Sequence, residues 1–307
     1  MPIALAAPSG RRGPGPSTSL HSWTCQRLLA KRNAKRYFGE VKPESPIADL
    51  AAYATDLAAS GRSSFTTKEA VAALGKTDVA VRAAIRRLAR HGAIATPVRG
   101  FHVLVPPEYR RLGCLPPEQF IPDLMRALGR DYYVGLLSAA QYHGAGHQRP
   151  QAFFVVEAKN RAPIACGAVR VQFVAKKWDK GFPVATFNTP RGTVAVSSPE
   201  LTAIDLVAYP ARSGGLDAVA TVLAELAERI DPKELAVAAG QAPRVLAQRL
   251  GYLLDAVGGG AVTGPLAALV ADSVRDYAPL EPSLPATGAV RDAKWRILVN
   301  VDLEPDV

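Results

Sequence analysis

The first folded region of the chain is decided by residues 65–105, which read FTTKEAVAALGKTDVAVRAAIRRLARHGAIATPVRGFHVLV. Thr66 and Glu69 form a capping-box signature, which predicts a helix that ends at Gly75. A longer amphipathic helix is predicted over residues 78–91, and two strand-like runs follow it. Helix, glycine turn, helix and hairpin is the order of a winged helix-turn-helix.

The sequence divides into three regions. Residues 1–45 are rich in Gly, Pro and Ser and carry basic side chains, so we predict a disordered basic tail. Apolar residues at helical spacing over 47–58 supply the first helix of a winged helix-turn-helix domain at 46–112. Residues 113–307 form a C-terminal domain, and the segment 109–115 is interpreted as the linker before it.

The excess positive charge lies entirely in the first two regions. The whole chain has a net charge of +10, of which residues 1–45 contribute +6 and residues 46–112 contribute +5. The remaining residues, 113–307, sum to −1. Basic charge confined to one end indicates a polyanionic partner for that end, and it gives the C-terminal domain no electrostatic reason to bind nucleic acid.

The second helix of a helix-turn-helix lies in the major groove, with its N-terminal residues nearest the base edges. Thr77 and Arg82 are therefore the candidates for base readout. Lys76, Arg86 and Arg99, the last at the tip of the wing, are the candidates for phosphate contacts.

The C-terminal domain alternates strand and helix patterns, so the predicted fold class is α+β: a winged helix followed by a mixed α/β domain with a helical end. Helices are predicted at 117–128, 132–142, 199–208, 216–230 and 245–257. Strands are predicted at 152–157, 169–175, 184–188, 193–196 and, last, 295–301.

Few residues suggest catalysis, and we expect no enzyme, metal or cofactor. His143 and His147 have HxxxH spacing, but two glycines separate them and no third ligand follows. Asp131, Glu157 and Lys159 have the outline of a metal-dependent nuclease site, which stays open as an alternative. Three scattered cysteines fit a reducing cytoplasm, and no apolar run is long enough to span a membrane.

Several segments resemble the AbiEi-type antitoxins of bacterial toxin–antitoxin systems, which are linked to abortive phage infection. They are YYVGLLSAAQYHG at 132–144, HQRP at 147–150, SPELTAIDL at 198–206, QRLGYLL at 248–254 and the wing RGFHVLV at 99–105. The resemblance covers about residues 46–260.

The resemblance implies that the winged helix binds inverted repeats in the promoter of its own operon and represses it. It also implies that the C-terminal domain counters an AbiEii-type nucleotidyltransferase toxin, without a stable complex. Loop residues are the better candidates for toxin antagonism, which favours His143, His147, Gln148 and Arg149. A winged-helix transcription factor with a ligand-sensing second domain remains the main alternative.

Overall fold

The protein is described by a computed structural model, which covers residues 49–146, 150–177 and 183–305. The predicted basic tail at 1–45 lies outside the described residues. Among the described residues, no helix combines the length and the apolar character needed to cross a membrane. The architecture is mixed α+β, as the sequence predicts.

Three helices and a three-stranded sheet form the N-terminal module (residues 50–104). Its elements are α1 (Leu50–Ala59), β1 (Ser64–Thr66), α2 (Thr67–Leu74), α3 (Asp78–Arg90), β2 (Ile94–Val98) and β3 (Phe101–Leu104). The sheet is antiparallel in the order β1-β3-β2. The sequence does not predict β1, because a strand of three residues is too short to give a periodic signal.

The helix signals in the module are local and the structure contains them. The backbone N–H of Glu69 donates to Thr66 Oγ1 at 3.2 Å, and the N–H of Thr66 donates back to Glu69 Oε2 at 2.6 Å. Gly75 ends α2 in the left-handed region at φ +62°, which a glycine adopts without strain.

The C-terminal part (residues 107–305) is built on a six-stranded mixed sheet in the order β6-β7-β5-β4-β9-β8. The strands are β4 (Tyr132–Val134), β5 (Phe153–Glu157), β6 (Ile164–Cys166), β7 (Val169–Ala175), β8 (Val184–Thr189) and β9 (Gly192–Ser197). Its helices are α4 (Ile121–Ala127), α5 (Leu136–Tyr142), α6 (Pro199–Ala208), α7 (Leu216–Leu226), α8 (Pro232–Gly240), α9 (Arg244–Ala256) and α10 (Gly264–Ser273). A small sheet follows, made of β10 (Ala278–Pro279), β11 (Val290–Asp292) and β12 (Ile297–Val299).

Two predicted helices differ from the structure. The predicted helix at 132–142 is wrong in its first third, because Tyr132–Val134 pairs as β4 with Val155–Glu157 of β5. Likewise, residues 117–119 form a single 3-10 turn before α4. Short apolar and aromatic runs fit both periods, and here the pairing with β5 decides the outcome.

The segment predicted as a linker, 109–115, is packed. Cys114 and Leu115 are fully buried in a hydrophobic cluster that also contains Phe101 and Val103 of the module and Val171 of β7. The N-terminal module and the C-terminal part therefore share a hydrophobic core across the predicted boundary at residue 112.

Candidate functional site

Helix α3 presents a basic face to solvent. Val81 and Ile85 are buried against the module, whereas Arg86, Arg87 and Arg90 are exposed. Thr77 caps the helix by accepting the N–H of Ala80 at 3.3 Å. The cap fixes where the helix begins, and with it which side chains lie in the exposed first turn.

Each predicted DNA-contact residue is exposed, but the residues are not equivalent. Lys76 lies in the turn between α2 and α3, and Arg99 lies in the turn between β2 and β3. Arg82 forms an intrahelical ion pair with Asp78, with Nε and Oδ2 at 2.6 Å. Arg82 is thus oriented by an acidic neighbour, which Arg86 one turn later is not.

One exposed residue on α3 was missed by sequence reasoning. Val79 is 74% exposed in the first turn, an unusual position for a large apolar side chain. The signal was present, because Val79 falls outside the apolar stripe that contains Val81 and Ile85. An apolar group in the first turn of such a helix is suited to contact a thymine methyl group.

Behind α3, the buried His102 of β3 connects two elements of the module. Its Nε2 lies 2.9 Å from Thr67 Oγ1, and its Nδ1 lies 2.9 Å from Thr96 Oγ1. Burial, together with the nearby charge of Arg82, lowers the pKa of His102 to about 4. The ring is therefore neutral near pH 7 and acts as part of the core.

In the C-terminal part, the segments that resemble AbiEi antitoxins meet at a buried carboxylate. Asp205 of α6 accepts a hydrogen bond from Tyr133 Oη at 2.7 Å and pairs with Lys176 Nζ at 2.6 Å. Burial raises the pKa of Asp205, whereas Lys176 and Tyr133 oppose that rise. Two segments that lie 72 positions apart in the chain are joined by this contact.

The sequence Gly135-Leu136 is fixed by the backbone at the start of α5. A Cβ on Gly135 would lie 2.7 Å from Val156 Cγ2, so the close approach of β5 excludes a side chain there. Leu136 adopts φ +53° although it is fully buried, a conformation that a non-glycine residue holds only under tertiary constraint.

The third segment, 248–254, anchors the small C-terminal sheet. Gln248 Nε2 donates to the carbonyl oxygens of Asp276 and Arg296, at 3.1 and 2.8 Å. A Cβ on Gly251 would lie 2.1 Å from the ring of Trp295, so only glycine leaves room for the buried indole.

Of the four candidates for toxin antagonism, His143 lies among the described residues. His143 ends α5, donates from Nε2 to the carbonyl oxygen of Ser197 at 2.6 Å and lies edge-on to Phe187. Its side chain is thus held by the sheet. His147, Gln148 and Arg149 lie outside the described residues.

The arrangement proposed for a nuclease is contradicted by the contacts of Glu157. Its buried carboxylate forms ion pairs with Arg130 at 2.9 Å and with Arg161 at 2.8 Å, while Asp131 and Lys159 are exposed. Within the ranges that the structure describes, no three His, Cys, Asp or Glu side chains are grouped so that they could hold a metal ion.

The C-terminal part is an α+β domain, made of a mixed six-stranded sheet followed by helices. The segments that resemble AbiEi antitoxins lie in its core. Residues 133–256 match the family model described as the AbiEi antitoxin C-terminal domain. The match extends from β4 through α9, and it confirms the resemblance found in the sequence. The matched domain is one of toxin–antitoxin antitoxins.

The fold also resembles a solved structure. It is similar to the crystal structure of the RV2827C protein from Mycobacterium tuberculosis, with a TM-score of 0.58 and 20% identity. The match covers 83% of this chain and 94% of that chain, so the common fold extends beyond residues 133–256. None of the curated proteins matches the chain.

Proposed function

We propose that the protein is an autoregulating antitoxin, in which the N-terminal module is a winged helix that binds promoter DNA. The observation that carries the proposal is the exposed face of α3, where Val79 accompanies Arg86, Arg87 and Arg90. The module has three helices followed by a hairpin, and α3, the second helix of the helix-turn-helix pair α2–α3, is exposed and basic. Winged helices use this arrangement to read the major groove.

Inverted repeats upstream of the gene are the proposed target. In this arrangement Thr77, Val79 and Arg82 face the bases, and Lys76, Arg86 and Arg99 contact phosphates. Arg82 leaves its pair with Asp78 when it engages a base, so its contribution to affinity is smaller than that of an unpaired arginine.

The test is fluorescence anisotropy with the full chain and labelled upstream DNA, in competition with unrelated duplex. We expect Arg86→Ala to lower the affinity for both DNAs alike, because it removes a phosphate contact. The slope of the affinity against salt concentration, both on logarithmic scales, should fall by about 1. Val79→Ala should reduce only the preference for the operator. The matched control is Arg229→Ala, an exposed arginine of the C-terminal part. Equal affinity of the native chain for operator and unrelated DNA would refute promoter recognition.

For the C-terminal part we propose antagonism of a nucleotidyltransferase toxin of the AbiEii type. The family of residues 133–256 supports this role. Growth under induced toxin measures it: Gln148→Ala with Arg149→Ala should reduce rescue and leave operator binding unchanged. Rescue at the native level by this variant would place the antagonistic surface elsewhere.

A further inference from the structure

Two free cysteines lie beside each other at the boundary between the N-terminal module and the C-terminal part. Cys114 lies in the packed segment 109–115, and Cys166 ends β6, an edge strand of the six-stranded sheet. Both belong to the hydrophobic cluster that is shared across residue 112. Within it Cys114 is fully buried, whereas Cys166 is partly exposed. The third cysteine of the chain, Cys25, lies outside the described residues.

The backbone places these two cysteines opposite each other. The N–H of Ala168 donates to the carbonyl oxygen of Leu112 at 2.8 Å, which sets an antiparallel register between the two segments. Two residues further along each segment, that register pairs Cys114 with Cys166. Opposite residues of antiparallel segments have Cα atoms about 4.5–5.5 Å apart, and a disulfide spans Cα separations of roughly 4.4–6.8 Å.

Two glycines next to the cysteines allow this close approach. A Cβ on Gly113 would lie 3.1 Å from the Cα of Gly167, and a Cβ on Gly167 would collide with the carbonyl oxygen of Leu112. The thiol of Cys114 donates a hydrogen bond to the sulfur of Cys166, so the two sulfur atoms are already in contact in the reduced chain.

We propose that Cys114 and Cys166 form a dithiol that a hydroperoxide oxidises to a disulfide, in which Cys166 attacks the oxidant and Cys114 then attacks Cys166. The division of roles follows from exposure, because a small oxidant reaches the partly exposed sulfur first. Neither cysteine belongs to the face of α3 on which promoter recognition is proposed, so this site adds a modification to that function.

The surroundings of the two sulfur atoms differ in the same sense. The sulfur of Cys166 accepts hydrogen bonds from the Cys114 thiol and from the backbone N–H of Thr96 in β2, and both lower its pKa. Burial and the bond donated to Cys166 raise the pKa of Cys114. Cys166 is therefore the better source of the thiolate, which is the nucleophilic form, and Cys114 keeps its proton until the second step.

The two steps balance without a further reactant. The Cys166 thiolate attacks one oxygen of the hydroperoxide and the O–O bond breaks. The other oxygen takes up a proton and leaves as an alcohol, or as water from hydrogen peroxide. The sulfur of Cys114 then attacks the resulting sulfenic acid on Cys166, and its proton leaves with the hydroxyl group as water. Two thiols and one hydroperoxide thus give one disulfide, one water and one alcohol.

The disulfide would join the segment that leaves the module to the edge of the sheet. The two cysteines are 52 positions apart in the chain, and a cross-link over a loop of this length restricts the unfolded chain. The oxidised chain should therefore unfold at a higher urea concentration than the reduced chain. In a reducing compartment such a bond is transient, which suits a site that senses oxidants.

The test treats the reduced full chain with hydrogen peroxide, blocks the remaining thiols with iodoacetamide and maps tryptic peptides without a reductant. We expect the intact chain to lose the mass of two hydrogen atoms and peptide 112–126 to be linked to peptide 162–170. Dithiothreitol should reverse both changes. In the chain unfolded in urea, the same link should form at least about 10-fold more slowly, because the fold no longer holds the thiols together.

Single variants assign the two roles. In Cys114→Ala the reaction should stop at the sulfenic acid, so dimedone should label peptide 162–170. In Cys166→Ser the oxidation of Cys114 should be at least about 10-fold slower, because the sulfur that remains is buried. Cys25→Ser is the control and should form the link as the native chain does.

Four results would overturn the inference. They are a disulfide that includes Cys25, added oxygen on either cysteine without the link, a link that forms as fast in urea as in the folded chain, and dimedone labelling of Cys114 in place of Cys166. The first three are read from the native chain, so they do not depend on whether a variant folds. A lower urea midpoint after oxidation would also count against the inference, because the bond would then distort the fold.

Discussion

Substitution in the buried ion pair of Asp205 and Lys176 tests what holds together the segments that resemble AbiEi antitoxins. Asp205 is completely buried, and its two oxygens are occupied by Lys176 Nζ and Tyr133 Oη. Lys176→Met keeps most of the apolar stem and removes the charge. Of these two donors, the buried carboxylate of Asp205 then keeps the hydroxyl group of Tyr133 and loses the ammonium group of Lys176.

The loss of stability has an upper limit that depends on pH. Removing one partner of a buried ion pair destabilises a protein by about 3–5 kcal/mol. The carboxyl can instead take up a proton, which from an ordinary pKa near 3.9 requires about 4 kcal/mol at pH 7 and about 1.5 kcal/mol at pH 5. Burial already raises the pKa of Asp205 in the native chain, and without Lys176 to oppose that rise the folded-state pKa should increase further, so the folded variant binds more protons than the folded native chain. The variant therefore recovers stability relative to the native chain as the pH falls.

Urea denaturation followed by circular dichroism at pH 7 and pH 5 measures this difference. We expect Lys176→Met to lower the free energy of unfolding by about 3–4 kcal/mol at pH 7 and by about half of that at pH 5. Lys177→Met, at the exposed neighbouring position, should change it by less than about 0.5 kcal/mol at either pH. A loss as large at pH 5 as at pH 7, or below about 1 kcal/mol at both, would refute the reasoning.

Three further predictions concern single residues. The pKa of His102 in the folded state, about 4, lies below its unfolded value, so the free energy of unfolding should fall by about 2 kcal/mol as the pH falls from 6.5 to 4. His102→Gln should abolish this pH dependence in thermal melts. The hydrogen bond from Cys114 lowers the pKa of Cys166, so alkylation of Cys166 by iodoacetamide should reach its midpoint at a lower pH than that of an ordinary thiol, and Cys114→Ala should move the midpoint upward. Gly251→Ala should cost about 2–3 kcal/mol in urea denaturation, because its methyl group would collide with Trp295; unchanged stability would mean that the indole moves aside.

What the sequence predicts well is local. The capping box of Thr66 and Glu69 depends on residues three positions apart, so spacing alone reveals it. The Thr77 cap of α3 is local in the same way. The N-cap of α6 is also local, because the N–H of Leu201 donates to the side chain of Ser198 three positions earlier. The exposure of Arg82 and Arg86 also follows from the position of the apolar stripe on α3.

What the sequence leaves open is decided by pairing between distant segments. Tyr132–Val134 is a strand because β5 lies beside it, and nothing within the run YYVGLLSAA distinguishes this from a helix. The pairing of Glu157 with Arg130 spans 27 positions, and it converts a suspected catalytic carboxylate into part of the core. Arg99 and Arg191 line the same cleft, although they lie 92 positions apart in the chain.

The buried positions in the segments that resemble AbiEi antitoxins identify the fold and not the surface that would oppose a toxin. Tyr133, Leu136, Asp205 and Gly251 are all inside the protein, and each is required by a contact that the fold imposes. Such positions identify the fold, because replacing any of them disturbs packing or leaves a buried polar group unpaired. A surface that opposes a toxin must instead consist of exposed residues around this core. Rescue assays are therefore informative only for exposed substitutions that leave the unfolding transition unchanged, since a loss of rescue at a buried motif position reports the loss of the fold.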